Sequence, residues 1–286
     1  MRIPIFTDEV QTKGGWHGAQ LAKAFAAKGL EAVFISLRDC IIDLSQGTAF
    51  IQIPHFNSLP KVVFVRGVAG GTLQQITTRL NILHMLKMQG VYVYNDGKAI
   101  ERTVDKAMTS FLLHQAGIST PQTWVCESRK SAHEIMSTNK QLIIKPLFGS
   151  QGQGVRLVGQ PYPLPMDTHV DGVFYLQAFV KAAHDYRVLV VNNKAVAAMR
   201  RSGEGWLHNV AMGAQCDAID NADILALAEQ ASASLNIAYC GVDIIRDATG
   251  KLLVLEVNSI PAWRGLQGVS SINIAETLVD DLLSHI

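Results

Sequence analysis

Two rhythms of apolar and polar positions run through this chain, one near period 3.6 and one of period two, and their order outlines the fold. Over residues 1 to about 100 they alternate. Ile3 to Phe6 and Ala32 to Leu37 read as strands, Ala19 to Lys28 as a helix ended by Gly29, and Gly14-Gly15-Trp16-His17-Gly18 as the connecting loop. Val62 to Val65 is wholly apolar and predicts a strand that delivers Arg66 and Gly67 at its carboxyl end, before a helix at Leu80 to Gln89 and a strand at Val91 to Tyr94. Such alternation predicts a small open α/β sheet. Ligands bind at the carboxyl ends of its strands, so Arg66 stands where an acidic substrate would sit.

From Glu101 the pattern changes. Lys106 to Gln115 predicts an amphipathic helix capped by Asp105 and stopped by Gly117. Gln122 to Cys126 is extended, and Gln141 to Pro146 is an apolar strand carrying Lys145. Gly149-Ser150-Gln151-Gly152-Gln153-Gly154 then leads into apolar Val155 to Val158, so the glycines join strand to strand. They are neither a P-loop nor a Rossmann turn, each of which opens a helix. Such a hairpin either lies over phosphates, its N–H groups aimed at oxygen and Lys145 supplying charge, or is a plain flexible turn. After the irregular stretch Tyr162 to Asp167, Phe174 to Val180 is a strand. Tyr186 to Val191 and Ala195 to Met199 pair through Asn192-Asn193-Lys194, with Asp185 and Arg187 at the start. Arg200 and Arg201 lead into the polar loop Gly203 to Asn209, where guanidinium groups solvate a surface or clamp carboxylate or phosphate.

A helix at Asp223 to Leu235 precedes the most informative pattern, Gly241 to Asn258. Two apolar runs flank Asp247-Ala248-Thr249-Gly250, which predicts a β-hairpin. With Asp247 facing Gly250, Asp243 faces Val254 and Glu256 is its diagonal neighbour. Alternation puts Asp243, Glu256 and Asn258 on one face and Val242, Ile244, Leu253, Leu255 and Val257 on the other. Carboxylates about 7 Å apart repel by roughly 2.4 kcal/mol at an effective dielectric of about 20. That face is either an exposed one with scattered acids or the seat of a cation. Two carboxylates and an amide oxygen suit Mg2+, which completes its shell with water and substrate phosphates. Ser259 to Leu266 reads as a loop and Ile274 to Leu283 as a closing helix.

Composition narrows the class. The 286 residues are 48% hydrophobic and 17% charged with a formal net charge of +1, enough for a core divided among two or three lobes. Near-neutral charge argues against nucleic acid or an anionic membrane as the main partner. Cys40, Cys126, Cys216 and Cys240 show no metal or redox spacing and read as reduced, mostly buried thiols. Acids appear by Asp8 and Glu9, too soon for a signal peptide, and no apolar run approaches the ~18 residues a membrane span needs. A cytoplasmic location is the expectation.

The order of motifs resembles the ATP-grasp carboxylate–amine ligases, most closely their RimK-like α-L-glutamate ligase branch. The residues that carry it are Asp105-Lys106-x-x-Thr109, Lys145-Pro146 with Gly149-Ser150-Gln151-Gly152-x-Gly154, Gln177-x-Phe179-Val180, Asp185-x-Arg187, Trp206-x-x-Asn209, Gly241-Val242-Asp243 and Glu256-Val257-Asn258-x-x-Pro261. The resemblance implies an ATP-grasp fold of α+β lobes behind an N-terminal α/β domain, within the α/β class, with boundaries at 1–100, 101–180 and 181–286. It implies that Lys106, Lys145 and the glycine flap contact ATP phosphates, that Gln177, Phe179 and Val180 form the adenine-side hinge, and that Asp185 and Asn209 complete the nucleotide site. Asp243, Glu256 and Asn258 would hold Mg2+, with Mn2+ as a substitute, and Arg200 would stabilise the transferring phosphoryl group. Two positions depart from the pattern. Ala178 stands where relatives often carry an acid, and Leu207-His208 stand where an Arg is common, which puts a ribose contact and a substrate contact in question.

The implied reaction turns a carboxylate into an acyl phosphate that an amino acid, L-glutamate in this branch, attacks to form an amide. Trp16, His17, Arg66, Arg187 and Arg264 are the substrate candidates. Gly15-Trp16-His17-Gly18 with Pro261-Ala262-Trp263-Arg264 looks like the branch of tetrahydromethanopterin synthesis, so the acceptor is expected to be a pterin-like small molecule or a protein C-terminus. A homo-oligomer is compatible with the resemblance. A non-catalytic ATP-binding module and a carboxylate kinase that stops at the acyl phosphate are the competing functions.

Overall fold

The computed structural model describes residues 1–45, 50–149, 152–165, 172–203, 205–206 and 213–286. Its N-terminal unit runs β1 (Arg2–Phe6), α1 (Gly15–Ala27), β2 (Glu31–Ile35), β3 (Ile41–Asp43), β4 (Phe50–Gln52), β5 (Val62–Val65), α2 (Leu73–Met88) and β6 (Tyr92–Tyr94). Four of these strands form a parallel sheet in the order β2-β1-β5-β6, and β3 pairs with β4 in a separate ribbon. Parallel strands need cover on both faces, and the alternation of β5 supplies it. Val62 and Phe64 pack with Leu21 and Phe25 of α1, whereas Val63 and Val65 pack with Ile82, Leu83 and Leu86 of α2.

After α3 (Gly97–Val104) and α4 (Lys106–Gln115) comes an antiparallel sheet of β7 (Thr123–Cys126), β8 (Gln141–Lys145), β9 (Arg156–Gly159) and β10 (Phe174–Ala178), ordered β7-β10-β8-β9 and backed by α5 (Arg129–Thr138). A third sheet, also antiparallel, has the order β13-β12-β11-β14-β15, built from β11 (His184–Val191), β12 (Lys194–Ser202), β13 (Gln215–Ala218), β14 (Tyr239–Arg246) and β15 (Leu252–Asn258). One of its faces, with Val188, Val190, Val242 and Ile244, packs on α6 (Ala222–Leu235). The other carries Leu189, Met199 and Tyr239 into the N-terminal core. Two helices follow, α7 (Arg264–Val269) and α8 (Ile274–Leu283), and the Leu278, Val279 and Leu282 face of α8 completes that same core. Asn95 fastens the joint. Fully buried, it donates to the carbonyls of Tyr239 and Ser259, both at 2.7 Å, and accepts from the N–H groups of Ala238 and Tyr239.

Several expectations change, among them the start of α2, which lies at Leu73 rather than Leu80. The stretch Gly14 to Gly18 is not a loop, because α1 begins at Gly15 and Trp16 and His17 lie in its first turn. Gly18 serves close packing rather than flexibility, since a Cβ there would fall 1.9 Å from the Lys13 carbonyl oxygen. Arg264 likewise opens a short helix inside an expected loop.

The acidic hairpin differs most. Gly250 adopts a left-handed φ of 90°, so the turn holds one more residue than expected and Arg246 faces Leu252. A β-bulge beyond Ile244 shifts the ladder by one more. Two single-residue shifts preserve parity, so Glu256 keeps to the face of Asp243 but lies directly opposite it instead of diagonally. Leu255, expected in the core, is the residue taken up by the bulge, and it lines the cavity beside Glu256 while Val254 and Val257 are core.

Candidate active site

A cavity of about 110 Å3 lies between the second and third sheets. Strand β8 brings Lys145 to it, and α4 presents Lys106 one residue past its cap, where the Asp105 carboxylate accepts from the N–H groups of Ala107 and Met108. Lys106 Nζ donates to the carbonyls of Leu147 and Gly149, at 3.3 and 2.9 Å. Lys145 Nζ donates to Gln177 Oε1 at 2.7 Å, and Gln177 in turn donates to Thr123 and Tyr175. Burial lowers the pKa of both lysines, against the pull of Glu256.

Opposite them stands a network of buried charges. Arg187 grips Asp243 through Nε and Nη2, and Arg201 bridges Asp243 at 3.1 Å and Asp185 at 2.6 Å. Burial pushes the Asp243 carboxyl up, but Arg187, Arg201 and hydrogen bonds with Arg187 and Glu256 more than offset this and hold it at about 2. Asp243 and Glu256 are therefore compatible as neighbours because two guanidinium groups and Lys145 face them.

The donor set fits Mg2+. Asp243 accepts from Arg187 twice and from Arg201 once, and Glu256 lies directly opposite it on the ladder. Glu256 accepts from the Asn258 amide at 3.1 Å. Among the described residues no cluster of three or more His, Cys, Asp or Glu side chains forms a closed cage. Sparse carboxylates with phosphates and water making up the remainder are the habit of Mg2+.

Of the residues singled out in the sequence, Lys106, Lys145, Gly149, Gly152, Gln177, Phe179, Val180, Asp185, Asp243 and Glu256 line this cavity. Ser150, Gln151 and Asn209, with Leu207 and His208, lie outside the described residues. Gly154 and Asn258 stand just off the lining. Arg200 requires correction. Its side chain is 45% exposed and donates to Asp217 at 2.8 Å, whereas that of Arg201 is 6% exposed and lines the cavity. Pleat parity is the reason: Arg201 shares a strand face with buried Met199, and Arg200 takes the other. Sequence reading also passed over the apolar slot. Ile143, Ala178, Ile245 and Leu255 line it with Trp206, whose ring meets Phe179 edge-on at 5.8 Å, a shape suited to a flat heterocycle.

The remaining substrate candidates gather elsewhere. Trp16, His17 and Trp263 form a triad of edge-on rings 4.9 to 5.1 Å apart, and Arg264 lies 5.8 Å over the Trp16 ring. His17 Nε2 accepts the Trp263 N–H at 3.1 Å. Burial, with the charges of Arg66 and Arg264, lowers its pKa to about 4, so the ring is neutral at pH 7 and carries its proton on Nδ1. Arg187 joins neither group of rings, being held on Asp243.

Two lobes closing on a slot with paired lysines on one wall and paired carboxylates on the other define an ATP-grasp ligase. Residues 103–282 match the RimK-like ATP-grasp domain, and the chain belongs to that family. It is 32% identical, over its full length and 99% of the relative, to the tetrahydromethanopterin:α-L-glutamate ligase of Methanococcus maripaludis. A probable α-L-glutamate ligase of Shewanella amazonensis is 28% identical over 91% of this chain and 89% of its own. In fold it is similar to the ATP-grasp ligase PsnB bound to minimal precursor, Mg and ADP (TM-score 0.71, 19% identity, 99% and 97% of the two chains). It is similar also to a RimK domain protein of Sphaerobacter thermophilus (TM-score 0.72, 20% identity, 99% and 100%). Among the described residues no helix is long and apolar enough to cross a membrane.

Proposed function

We propose that this enzyme joins L-glutamate to the carboxylate of a small, pterin-type acceptor, using ATP and Mg2+ or Mn2+. The observation that carries the reading is the convergence of Lys106 and Lys145 with Asp243 and Glu256 on one cavity beside an apolar slot. The full-length likeness to a tetrahydromethanopterin:α-L-glutamate ligase supports the acceptor class over a protein C-terminus.

Lys106 and Lys145 hold the nucleotide phosphates, and the apolar slot around Phe179, Val180 and Trp206 takes the adenine. Asp243, Glu256 and Asn258 would hold Mg2+, which when bound would supply positive charge to the phosphoryl group in transfer. Arg201, not Arg200, is the guanidinium placed to add to that charge. The acceptor carboxylate attacks the γ-phosphate, giving ADP and an acyl phosphate. The amine of glutamate then attacks the acyl carbon and phosphate leaves. Both steps need positioning and charge more than covalent help, which accords with the inert chemistry of Cys240, a buried thiol pushed up to about 12.

Mass spectrometry of products from ATP, Mg2+, glutamate and a panel of acceptors including pterins tests this. A gain of one or more glutamyl units on a pterin acceptor is expected. ADP release with no product gain on any carboxylate would overturn it.

A further inference from the structure

Around His17 lie charges of both signs that do not pair. Arg66 Nε is buried with no hydrogen-bond partner, the one such side-chain atom among the described residues. Arg264 is exposed, and among the described residues its guanidinium is engaged only by the Trp16 ring. Asp8 and Glu9 are close enough for their charge to act on Arg66, yet no ion pair forms with either among the described residues. Both carboxylates press on glycines. A Cβ at Gly67 would fall 2.5 Å from Asp8 Oδ1, and one at Gly15 would fall 3.0 Å from Glu9 Oε2. Opposite charges at such range usually close on each other, and a buried N–H usually finds an acceptor. Here, among the described residues, they stay unpaired.

We infer that this cluster of charges is the amino-acid subsite of the ligase, where Arg66 and Arg264 take the two carboxylates of an acidic α-amino acid and Asp8 and Glu9 face its ammonium. The inference rests on the ligase reading above. Charge balance separates the amino acid from the acceptor as occupant. With His17 neutral, the two arginines and two carboxylates cancel, so a multiply anionic acceptor would meet two like charges, whereas a zwitterion meets an opposite charge at each end. His17, donating through Nδ1–H, adds a neutral hydrogen bond. The backbone links the cluster to the nucleotide cavity. Asn258 faces Gly241, and a Cβ at Gly241 would meet Pro261 at 2.8 Å and Arg187 Nη1 at 3.0 Å, so the chain from Glu256 to Trp263 and Arg264 runs along Arg187.

The test is calorimetric titration of L-glutamate into the full chain, with Mg2+ and a non-hydrolysable ATP analogue present. Arg264→Gln and Asp8→Asn, both at exposed positions, and Arg66→Lys are compared with wild type. Each should weaken glutamate binding about tenfold or more, since each removes a charged hydrogen-bond partner. Affinity for the ATP analogue should be unchanged, and wild type should bind L-glutamine far more weakly than L-glutamate. Wild-type affinity for glutamate in Arg264→Gln and Asp8→Asn overturns the subsite, as does a wild-type protein that binds no glutamate. Binding is read without turnover, so failure of the ligase reading, seen as no product with any acceptor, is a separate result.

Discussion

Among the described residues nearly every charge in the nucleotide cavity has a partner, and beside α1 few do. Asp243 is held by Arg187 and Arg201, Asp185 by Arg201, and Lys145 by Gln177, whereas Arg66, Arg264, Asp8 and Glu9 stand apart. Both regions are assembled from the same residue types. What differs is the demand on each. A cavity that must bind polyphosphate and steady a transferring phosphoryl group gains from charges fixed beforehand, and pairing fixes them. A site for a zwitterion keeps its own charges open for the ligand to pair.

The largest effect should come from breaking the cavity's carboxylate pair, Asp243 and Glu256, proposed above to hold Mg2+. Glu256→Gln keeps shape and hydrogen bonding but removes one charge facing Lys106 and Lys145. Turnover should fall on the order of 10^3-fold with an unchanged circular dichroism spectrum, because the charge acts on the transition state. A variant that turns over at nearly the wild-type rate would remove Glu256 from the metal set. Next in size is stability. Arg201→Met leaves Asp185 and Asp243 buried with one partner fewer each, which should cost about 3–5 kcal/mol in urea unfolding. A loss under about 1 kcal/mol would mean that water already reaches these acids.

Much of this contrast was legible in the residues. Asp105 with Gly117 bounded α4 correctly, and the leucine and valine spacing of α8 did the same. The acidic face survived because two one-residue errors in register cancel in parity. Local signals were too weak elsewhere. Helix α5 carries only the short stripe Ala132, Ile135 and Met136, and α3 begins at Asn-Asp-Gly, a sequence that also spells a turn, though its Asp96 cap on the Ala99 N–H was readable. Partners distant in sequence lay beyond reach altogether. Nothing near His17 in the chain says that Arg66 and Arg264 act on it, nor anything near Arg66 that Asp8 and Glu9 do.

Lys145→Ala probes the paired region more gently. It removes a phosphate-facing charge and leaves Gln177 Oε1 without its donor, so nucleotide affinity should drop about 10- to 100-fold by fluorescent-ATP titration. Unaltered affinity would place the phosphates elsewhere. On the unpaired side, His17 gives a pH signature. Its pKa is lowered from 6.5 to about 4 in the folded chain, so between those values the unfolded chain binds the extra proton. The His17 contribution to stability is whole above pH 6.5, declines as pH falls toward 4, and changes no further below. His17→Gln, which keeps an acceptor for the Trp263 N–H, should flatten the urea midpoint between pH 7 and 4.5. An equal slope in both proteins would show that the imidazole is solvated.

The smallest effect should come from Arg200, and it sharpens the comparison most. Arg200 and Arg201 are neighbours with the same side chain, yet pleat parity sends one to solvent against Asp217 and the other into the cavity between Asp185 and Asp243. A solvent-exposed ion pair contributes little because water screens it and the long side chain loses freedom in forming it. Arg200→Ala should therefore leave turnover, nucleotide affinity and the unfolding midpoint where they are, while the adjacent substitution removes activity and stability together. Were Arg200→Ala to abolish turnover while Arg201→Met spared it, the end of β12 would have to rotate by one residue when the lobes close on ATP. The distinction drawn between the two arginines would then describe only the open enzyme.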